Sequence, residues 1–380
     1  MPAYSRVAVD SSALTGEVYP RATSGGREPR WLAIGRSMFA LATALVLFGL
    51  GAANIVTRAR FHEVEDGVLW SARAEGVTAT EIATGSAAAR AGVLTGDLLI
   101  SVNGAPVTTP EDVVEIQHRA HQGTRLVYAL VRRGAQQVIE LGLEPAPPGS
   151  PVYYALAAVG LFTLLVGTWV RLRRPHDQPT LHFYWLCVAF FGAFTFSFNG
   201  PFDRLDWIFY WGDALAMAAL PALLLHFTLV FPERASNIDP RPIDRLVPVL
   251  YAPAFLMAVA RAVVVMRGVQ GTLSGSGFSQ AVDRLDRAEP LYLTVCAVAA
   301  AGVLVRAFRE HTTETARRQL RWLAWGTALG AGPFAVGYAV PWALGIDPPI
   351  ALQLTAIPLG LVPLTFASAL VRFRLRDVEV

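Results

Sequence analysis

Long apolar runs alternate with short polar segments along most of this 380-residue chain. A helix that crosses a bilayer core needs about 20 apolar residues, and eight runs reach or approach that length: residues 37–56, 152–170, 181–198, 207–231, 246–266, 291–305, 320–344 and 350–371. The shortest, 291–305, needs its flanking residues to cross. The pattern predicts one membrane-spanning helix, then an interruption, then seven more helices.

The interruption is a polar block, residues 61–145, with a pattern of its own. Alternating runs predict five strands, at residues 66–70, 77–82, 98–102, 125–131 and 137–143. The small residues 86–91 predict a short helix, and Thr109 starts a second helix that runs to about His121. The sequence therefore predicts a multi-domain membrane protein: an α-helical polytopic bundle of one plus seven transmembrane helices, with an inserted small αβ domain.

Residues 85–107, GSAAARAGVLTGDLLISVNGAPV, join a small-residue helix ended by Gly92 to a turn at Gly96-Asp97 and a type I′ hairpin at Asn103-Gly104. In this order and at these spacings they resemble a bacterial PDZ domain. Such a domain binds an extended peptide, usually its C-terminus, as an added strand between its second strand and second helix. An unrelated small αβ unit is the alternative fold.

The resemblance implies a peptide groove between the second predicted strand and the second predicted helix. Its residues would be Gly76, Val77, Thr78, Ala79, Thr80 and Ile82 on the strand, and Val113, Ile116, Gln117 and Ala120 on the helix. The loop 71–76 lacks the hydrophobic-glycine pattern of well-known PDZ loops, and its Glu75 would repel a carboxylate. We expect a peptide or protein ligand, internal or terminal; a spacer that binds nothing is the alternative.

Composition supports a membrane protein, because 53% of residues are hydrophobic, 16% are charged and the mean hydropathy is +0.42. All 32 basic residues are arginine, which excludes Schiff-base, Ser-Lys and phosphate-loop lysine chemistry. The net charge of +3 is spread over many loops and indicates no nucleic-acid partner. Cys187 and Cys296 lie in apolar runs without metal-ligand spacing, so no metal or cofactor is predicted.

No catalytic constellation emerges from the motifs. His62-Glu63 begins like a zinc HExxH motif, but the second histidine is missing. A Gly-x-Ser-x-Gly elbow is missing as well. The sequence leaves open whether the protein is part of an enzyme.

Arginine placement orients the predicted helices. Arginines cluster in alternate segments, within residues 171–174, 234–245, 306–321 and 372–376. By the positive-inside rule, the exit segment 372–380 is cytoplasmic and the inserted domain lies outside, in a multi-pass protein of a bacterial cell (inner) membrane. The basic tail, residues 1–30, is predicted to be disordered. A cleaved signal peptide is the alternative interpretation of the first apolar run.

Polar side chains inside apolar helices are costly and mark candidate sites. Asp213 and Arg261 each lie about five or six residues from the outer end of a helix, which places both about 8–9 Å deep. We predict that they form an ion pair, either structural or involved in sensing or ion passage. His182 and His226 also approach each other near the cytoplasmic face, as hydrogen-bonded interface residues or as a haem or metal pair.

Three further segments read LLHFTLVFPE at 224–233, RRQLRWLAWG at 317–326 and ALVRFRLRDVEV at 369–380. They are similar to the seven-helix membrane sensor region of bacterial sensor histidine kinases, of which some also carry an extracytoplasmic PDZ domain.

This resemblance implies a signal-input protein of a two-component system. Its cytoplasmic partner would be a separate signalling protein or a C-terminal output domain absent from these residues, and it implies a homodimer. The alternatives are a non-signalling membrane scaffold for periplasmic proteins and, less favoured, a transporter or intramembrane enzyme that uses Asp213 and Arg261.

Overall fold

The computed structural model describes residues 30–60, 64–73, 75–120, 123–145, 151–198, 203–231, 240–270, 275–310 and 314–372. Three predictions fall largely or wholly on other residues: the tail 1–30, the linker 146–149 and the exit segment 372–380. They lie outside the described part of the chain and stay predictions.

The first long helix leads into the inserted domain. Its elements in chain order are α1 (Arg30–Arg60), β1 (Val64–Glu65), β2 (Val68–Arg73), β3 (Gly76–Ile82), α2 (Ala87–Ala91), β4 (Leu98–Val102), β5 (Ala105–Pro106), α3 (Pro110–His118), β6 (Arg125–Arg132), β7 (Ala135–Gly142) and β8 (Glu144–Pro145). All five predicted strands are present. The first starts two residues later than expected, and α3 ends three residues earlier.

An antiparallel sheet is the centre of the inserted domain. Its strand order is β2-β3-β4-β6-β7, and β5 pairs with β4. β1 and β8 form a separate two-stranded sheet with Val64 opposite Pro145, which brings the two ends of the domain together. The core between sheet and helices contains residues that are at most 2% exposed, among them Val77, Leu99, Val102, Leu126, Tyr128 and Leu130.

The predicted turns have the expected backbone. Asn103 and Gly104 both have positive φ, 51° and 79°, as a type I′ turn requires. The β6–β7 turn is of the same kind, with φ of 49° at Arg133 and 82° at Gly134. Gly92 ends α2 with φ of 87°. These local predictions are confirmed.

The described residues that follow the inserted domain are mainly helical. After the inserted domain come α4 (Pro151–Arg173), α5 (Gln178–Thr195), α6 (Arg204–Val230), α7 (Pro240–Val269), α8 (Gly275–Glu310) and α9 (Glu314–Phe334). A π-helical segment, Ala335–Ala339, joins α9 to α10 (Val340–Ala343), and α11 (Ile350–Gln353) passes through a 3-10 segment, Leu354–Gly360, into α12 (Leu361–Arg372). Most helices extend beyond their apolar runs.

Seven helical segments of the described residues are long and apolar enough to cross a membrane, which is consistent with a membrane protein. They are Ile34–Ala59, Pro151–Arg173, Arg204–Val230, Val247–Gly268, Gln280–Arg309, Arg317–Ala343 and Ile350–Val371. The remaining predicted run, 181–198, corresponds to α5. This helix has 18 residues, and polar residues such as Gln178 and His182 lower its hydropathy.

α5 lies at the centre of the helical bundle, against α4 and α6. Its Phe183, Phe190 and Phe191 are fully buried. Aromatic packing continues between the helices, for example where the rings of Phe227 and Phe366 stack with centroids 4.9 Å apart. α5, which is rich in aromatic residues, therefore lies in the interior of the bundle. Little of its surface would contact surrounding lipid.

Candidate functional site

The sheet ends at two strands, β2 and β7, and the one beside α3 is β2, not the strand that the sequence singled out. β3, which contains the predicted groove residues, is paired with β2 on one side and with β4 on the other. β2 pairs only with β3 and ends the strand order. α3 packs next to β2 and β1. Among the described residues, the sheet edge that is unpaired and next to α3 is therefore that of β2.

The predicted strand residues are largely inaccessible to a ligand. Val77 and Ala79 are each 1% exposed and Thr78 is 7% exposed. The predicted strand is also interior to the sheet, so it has no free side for a peptide over Val77 and Thr78. The groove strand is corrected from β3 to β2. The sequence showed two neighbouring strands but not which of them ends the sheet.

The predicted helix residues do lie on the helix beside the groove, or directly after it. Val113 is 1% exposed and belongs to the core. Ile116 and Ala120 are partly buried and pack against the same core. Gln117 donates a hydrogen bond from Nε2 to the Tyr128 hydroxyl at 3.2 Å. These four residues fix the position of α3, and the accessible apolar surface is instead at Val114, which is 48% exposed.

Backbone groups of β2 alternate between its two sides, as in any strand. The carbonyl of Gly67 accepts a hydrogen bond from the Ala83 amide at 2.9 Å, and that of Leu69 accepts one from the Thr80 hydroxyl at 2.8 Å. Both donors belong to β3 or directly follow it. Alternation therefore turns the backbone groups of Val68, Trp70 and Ala72 toward the open edge.

A buried carboxylate, that of Asp66, organises the start of β2. Asp66 is 2% exposed, and its Oδ2 accepts hydrogen bonds from Trp70 Nε1 at 2.9 Å and from the Tyr128 hydroxyl at 2.7 Å. Its Oδ1 accepts the amide of Val68 at 2.9 Å. Burial raises the pKa of Tyr128, and the nearby Asp66 charge adds to this, so the phenol stays protonated and donates.

Gly67 is the residue that lets the chain turn between Asp66 and β2. Its φ is +77°, and a Cβ there would lie 2.3 Å from the Cβ of Ser86. Ser86 is the N-cap of α2 and its hydroxyl accepts the Ala89 amide. The Asp66 carbonyl also accepts the Ala88 amide at 3.0 Å. The loop before β2 is thus held against the start of α2.

Two more carboxylates, those of Asp97 and Asp112, stabilise the domain through hydrogen bonds. Arg132 on β6 donates to both carboxylate oxygens of Asp97, at 2.7 and 2.6 Å. This hydrogen bonding lowers the pKa of Asp97. Asp112 accepts the backbone amides of Thr108 and Thr109 at 2.8 Å each, which caps the start of α3. These bonds lower the pKa of Asp112.

The sequence of this domain matches a known family. The family model described as PDZ domain matches residues 78–132. The chain contains a PDZ domain. The matched residues run from β3 to the end of β6, and β2 and β7, outside the match, belong to the same sheet. Among curated proteins, none matches this chain.

Two solved structures are similar to part of this chain. The HtrA-type protease AlgW with a decapeptide is 17% identical, with a TM-score of 0.22, over 23% of this chain and 31% of that chain. The serine endoprotease from Yersinia pestis is 22% identical, with a TM-score of 0.21, over 23% of this chain and 30% of that chain. The present chain therefore covers about a third of each protease.

The helical bundle contains an ion cluster that differs from the predicted one. Arg261 donates from Nη2 to Asp286 at 2.6 Å and to Glu289 at 2.8 Å, and from Nη1 to the Tyr210 hydroxyl at 3.4 Å. In the described part of the chain, Asp213 forms no ion pair with Arg261. The partner is corrected to Asp286 and Glu289, because α8 starts at Gly275 and places both acids on a helix facing α7.

The histidines that the sequence brought together are in contact. The rings of His182 and His226 meet edge to face with centroids 4.7 Å apart. His182 Nδ1 bonds to the Gln178 carbonyl at 3.0 Å, and His226 Nδ1 to the Tyr251 hydroxyl at 3.0 Å. They are hydrogen-bonded interface residues that join α5, α6 and α7.

Proposed function

We propose that the PDZ domain binds an extended segment of a peptide or protein by adding it as a strand to β2, beside α3. The observation that carries the proposal is the position of β2: it ends the sheet, and α3 lies next to it. An added strand would find the backbone groups of Trp70 and Ala72 directed toward it. Backbone pairing supplies affinity in this mode of recognition, and neighbouring pockets supply specificity.

The dimensions of β2 set the length of the ligand. Its six residues span about 20 Å at about 3.3 Å per residue. Ala72, on the same face of β2 as the buried Trp70, is exposed, and Val114 on α3 is 48% exposed, so apolar side chains of a ligand have surface to cover. The ligand class is therefore a segment of about six extended residues with apolar side chains.

We further propose that the chain is a multi-pass protein of a bacterial inner membrane with the PDZ domain outside. The arginine clusters in alternate segments support this orientation. It requires α5 to cross with its neighbours. Only residues 174–177 separate α4 from α5, and α5 packs along both α4 and α6, which supports an eighth crossing.

A role in signal input is supported by how the helices flanking the PDZ domain are joined. α1 precedes the domain and α4 follows it. Asn54 of α1 accepts a hydrogen bond from the hydroxyl of Tyr153 of α4 at 2.7 Å, and Asn54 is fully buried. The same hydroxyl donates to the Thr195 carbonyl at the end of α5, and the Arg58 guanidinium lies 4.6 Å above the Tyr153 ring.

A ligand that shifts the ends of the PDZ domain would therefore act on α1, α4 and α5 together. Such a shift could pass to a cytoplasmic signalling partner or output domain, as in histidine-kinase-type signalling, and to a second subunit of a homodimer. A membrane scaffold that captures proteins without relaying a signal is the second candidate, since the same groove serves both.

The test of peptide binding uses the full chain in lipid nanodiscs and a library of random peptides. Ala72→Pro removes an amide on the open side of β2, while edge strands tolerate proline there. Ala72→Val is the matched control, since it keeps the amide. We expect library binders to lose at least about tenfold in affinity with the proline variant only. Equal binding by both variants would place the ligand elsewhere.

A further inference from the structure

The start of β2 determines which kind of segment the groove accepts, an inference that rests on the proposed peptide binding. A ligand antiparallel to β2 runs from Arg73 toward Val68, so its C-terminal end lies beside the Asp66 loop. A terminal carboxylate held there would need backbone amides as donors, as in other backbone nests that capture carboxylates. The open-edge amide nearest this end of β2 is that of Val68.

That amide is already bound. Val68 N–H donates to Asp66 Oδ1 at 2.9 Å, within the chain itself. The side chain that occupies it is an aspartate, so the position that a ligand carboxylate would take carries a carboxylate of the protein. Two like charges competing for one donor repel each other.

Moving the Asp66 side chain out of this position would cost free energy. It is 2% exposed, and its other oxygen is held by Trp70 Nε1 and by the Tyr128 hydroxyl. Displacing it would leave the indole N–H and the phenol without their acceptor inside the core, and unpaired buried donors are costly. The loop behind it is fixed as well, since the Asp66 and Gly67 carbonyls accept the amides of Ala88 and Ala83.

The C-terminal half of α3 lies beside Asp66, because Gln117 donates to the same Tyr128 hydroxyl that donates to Asp66. The acidic first turn of α3, with Glu111 and Asp112, is at the other end of the helix. The repulsion of a ligand carboxylate at this end of the groove therefore comes from Asp66 itself.

We propose that this groove takes an internal extended segment, one that continues past Asp66 with a neutral or cationic group there, and discriminates against a free C-terminal carboxylate. The Asp66 carboxylate is the residue that sets this preference. The Asp66 carboxylate already accepts the Val68 amide that a ligand's own carboxylate would need.

The experiment compares two random 12-residue peptide libraries on the full chain in nanodiscs. One library ends in a free carboxylate, and the other is joined at both ends to a carrier protein. We expect binders from the second library. Binders from the free-carboxylate library alone would overturn this inference while leaving peptide binding intact. Binders from neither library would overturn the proposed peptide binding together with it.

A selected binder is then titrated as matched peptides that differ only at the end beside Asp66: free acid, amide, and an extension by four residues. We expect the free acid to bind at least tenfold more weakly than the amide and the extension. Asp66→Asn should narrow this gap, and Glu140→Gln, which removes one negative charge on β7, should not. A free acid that binds the unmodified chain as tightly as the amide would overturn the inference, whatever the variants do.

Discussion

The hydroxyl of Tyr128 donates a 2.7 Å hydrogen bond to the carboxylate of Asp66, across 62 residues of sequence. Both side chains are buried, at 0% and 2% exposure. The bond joins the middle of the sheet to the loop that starts its edge strand. Gln117 of α3 bonds to the same hydroxyl, so one polar network positions the loop, the edge strand and the helix that form the groove.

Tyr128→Phe should destabilise the PDZ domain by about 1–3 kcal/mol, because Asp66 loses one of its buried hydrogen-bond donors and Gln117 loses its acceptor. The readout is urea unfolding of the full chain, followed by a fluorophore on Val138→Cys, since Val138 is 67% exposed on β7. Tyr154→Phe removes the same hydroxyl from a 37% exposed tyrosine of α4 and serves as control. Equal unfolding midpoints for the two variants would contradict the role of the network.

Gly67→Ala should cost more than Gly85→Ala, and the two positions form a matched pair. Their φ angles are +77° and +76°, so both alanines carry the same backbone strain. A Cβ at Gly67 would lie 2.3 Å from Ser86 Cβ, whereas one at Gly85 meets nothing within 4 Å. We expect an extra loss of about 1–3 kcal/mol at Gly67 from this overlap, measured with the same fluorophore. A smaller difference in unfolding free energy between the two variants would mean that α2 shifts and relieves the overlap with Ser86.

Acid should weaken the PDZ domain through Asp97. Hydrogen bonds from Arg132 lower the pKa of Asp97 in the folded state. The stabilisation is therefore complete above the ordinary aspartate pKa of about 3.9 and is lost as pH falls through the folded value. Asp97→Asn should be less stable at neutral pH and should flatten the fall of unfolding free energy below about pH 4.

The control for acid unfolding is Glu140→Gln, which changes an exposed carboxylate 3.3 Å from Arg125. Surface pairs of this kind contribute little, so its pH profile should follow that of the unmodified chain. If the unfolding free energy of Asp97→Asn falls in acid as steeply as that of the unmodified chain, another carboxylate causes the fall.

Arg261→Gln should strongly destabilise the helical bundle. It would leave Glu289, whose side chain is 8% exposed, without its cation. Removing one member of a buried ion pair costs about 3–5 kcal/mol. The double variant Arg261→Gln with Glu289→Gln should recover part of this loss. Thermal unfolding in detergent, followed by size-exclusion chromatography, measures both.

The same experiment separates the two candidate partners of Arg261. Because Arg261 forms an ion pair with Glu289 and none with Asp213 among the described residues, Glu289→Gln should lower the unfolding temperature more than Asp213→Asn does. The opposite order would restore the ion pair that the helix pattern predicted.

Local signals in the sequence were sufficient for the elements of the PDZ domain. Asn103-Gly104 and the small-residue helix before Gly92 each depend on a few adjacent residues, and the structure confirms both. The groove strand depends on something else. Whether β2 or β3 ends the sheet is decided by pairing with β4, which the alternation of residues along either strand does not contain.

The ion cluster was missed for a related reason. Asp286 and Glu289 lie in a polar stretch before the apolar run 291–305, so the hydropathy pattern assigned them to a loop. The helix instead starts at Gly275 and carries both acids to Arg261. A hydrophobic run marks only the apolar middle of a helix, and its polar ends are fixed by contacts with neighbouring helices. The Asp66–Tyr128 bond likewise joins residues that no short-range pattern relates.

Hydrogen exchange of the full chain with and without a selected library peptide tests the central claim most directly, since it reads the backbone amides of each strand. If the ligand adds to β2, exchange should slow at the amides of Trp70 and Ala72, which face the open edge. The amides of β7, at the other edge of the sheet, should be unchanged. Protection confined to β7, or to residues outside the PDZ domain, would contradict a groove between β2 and α3.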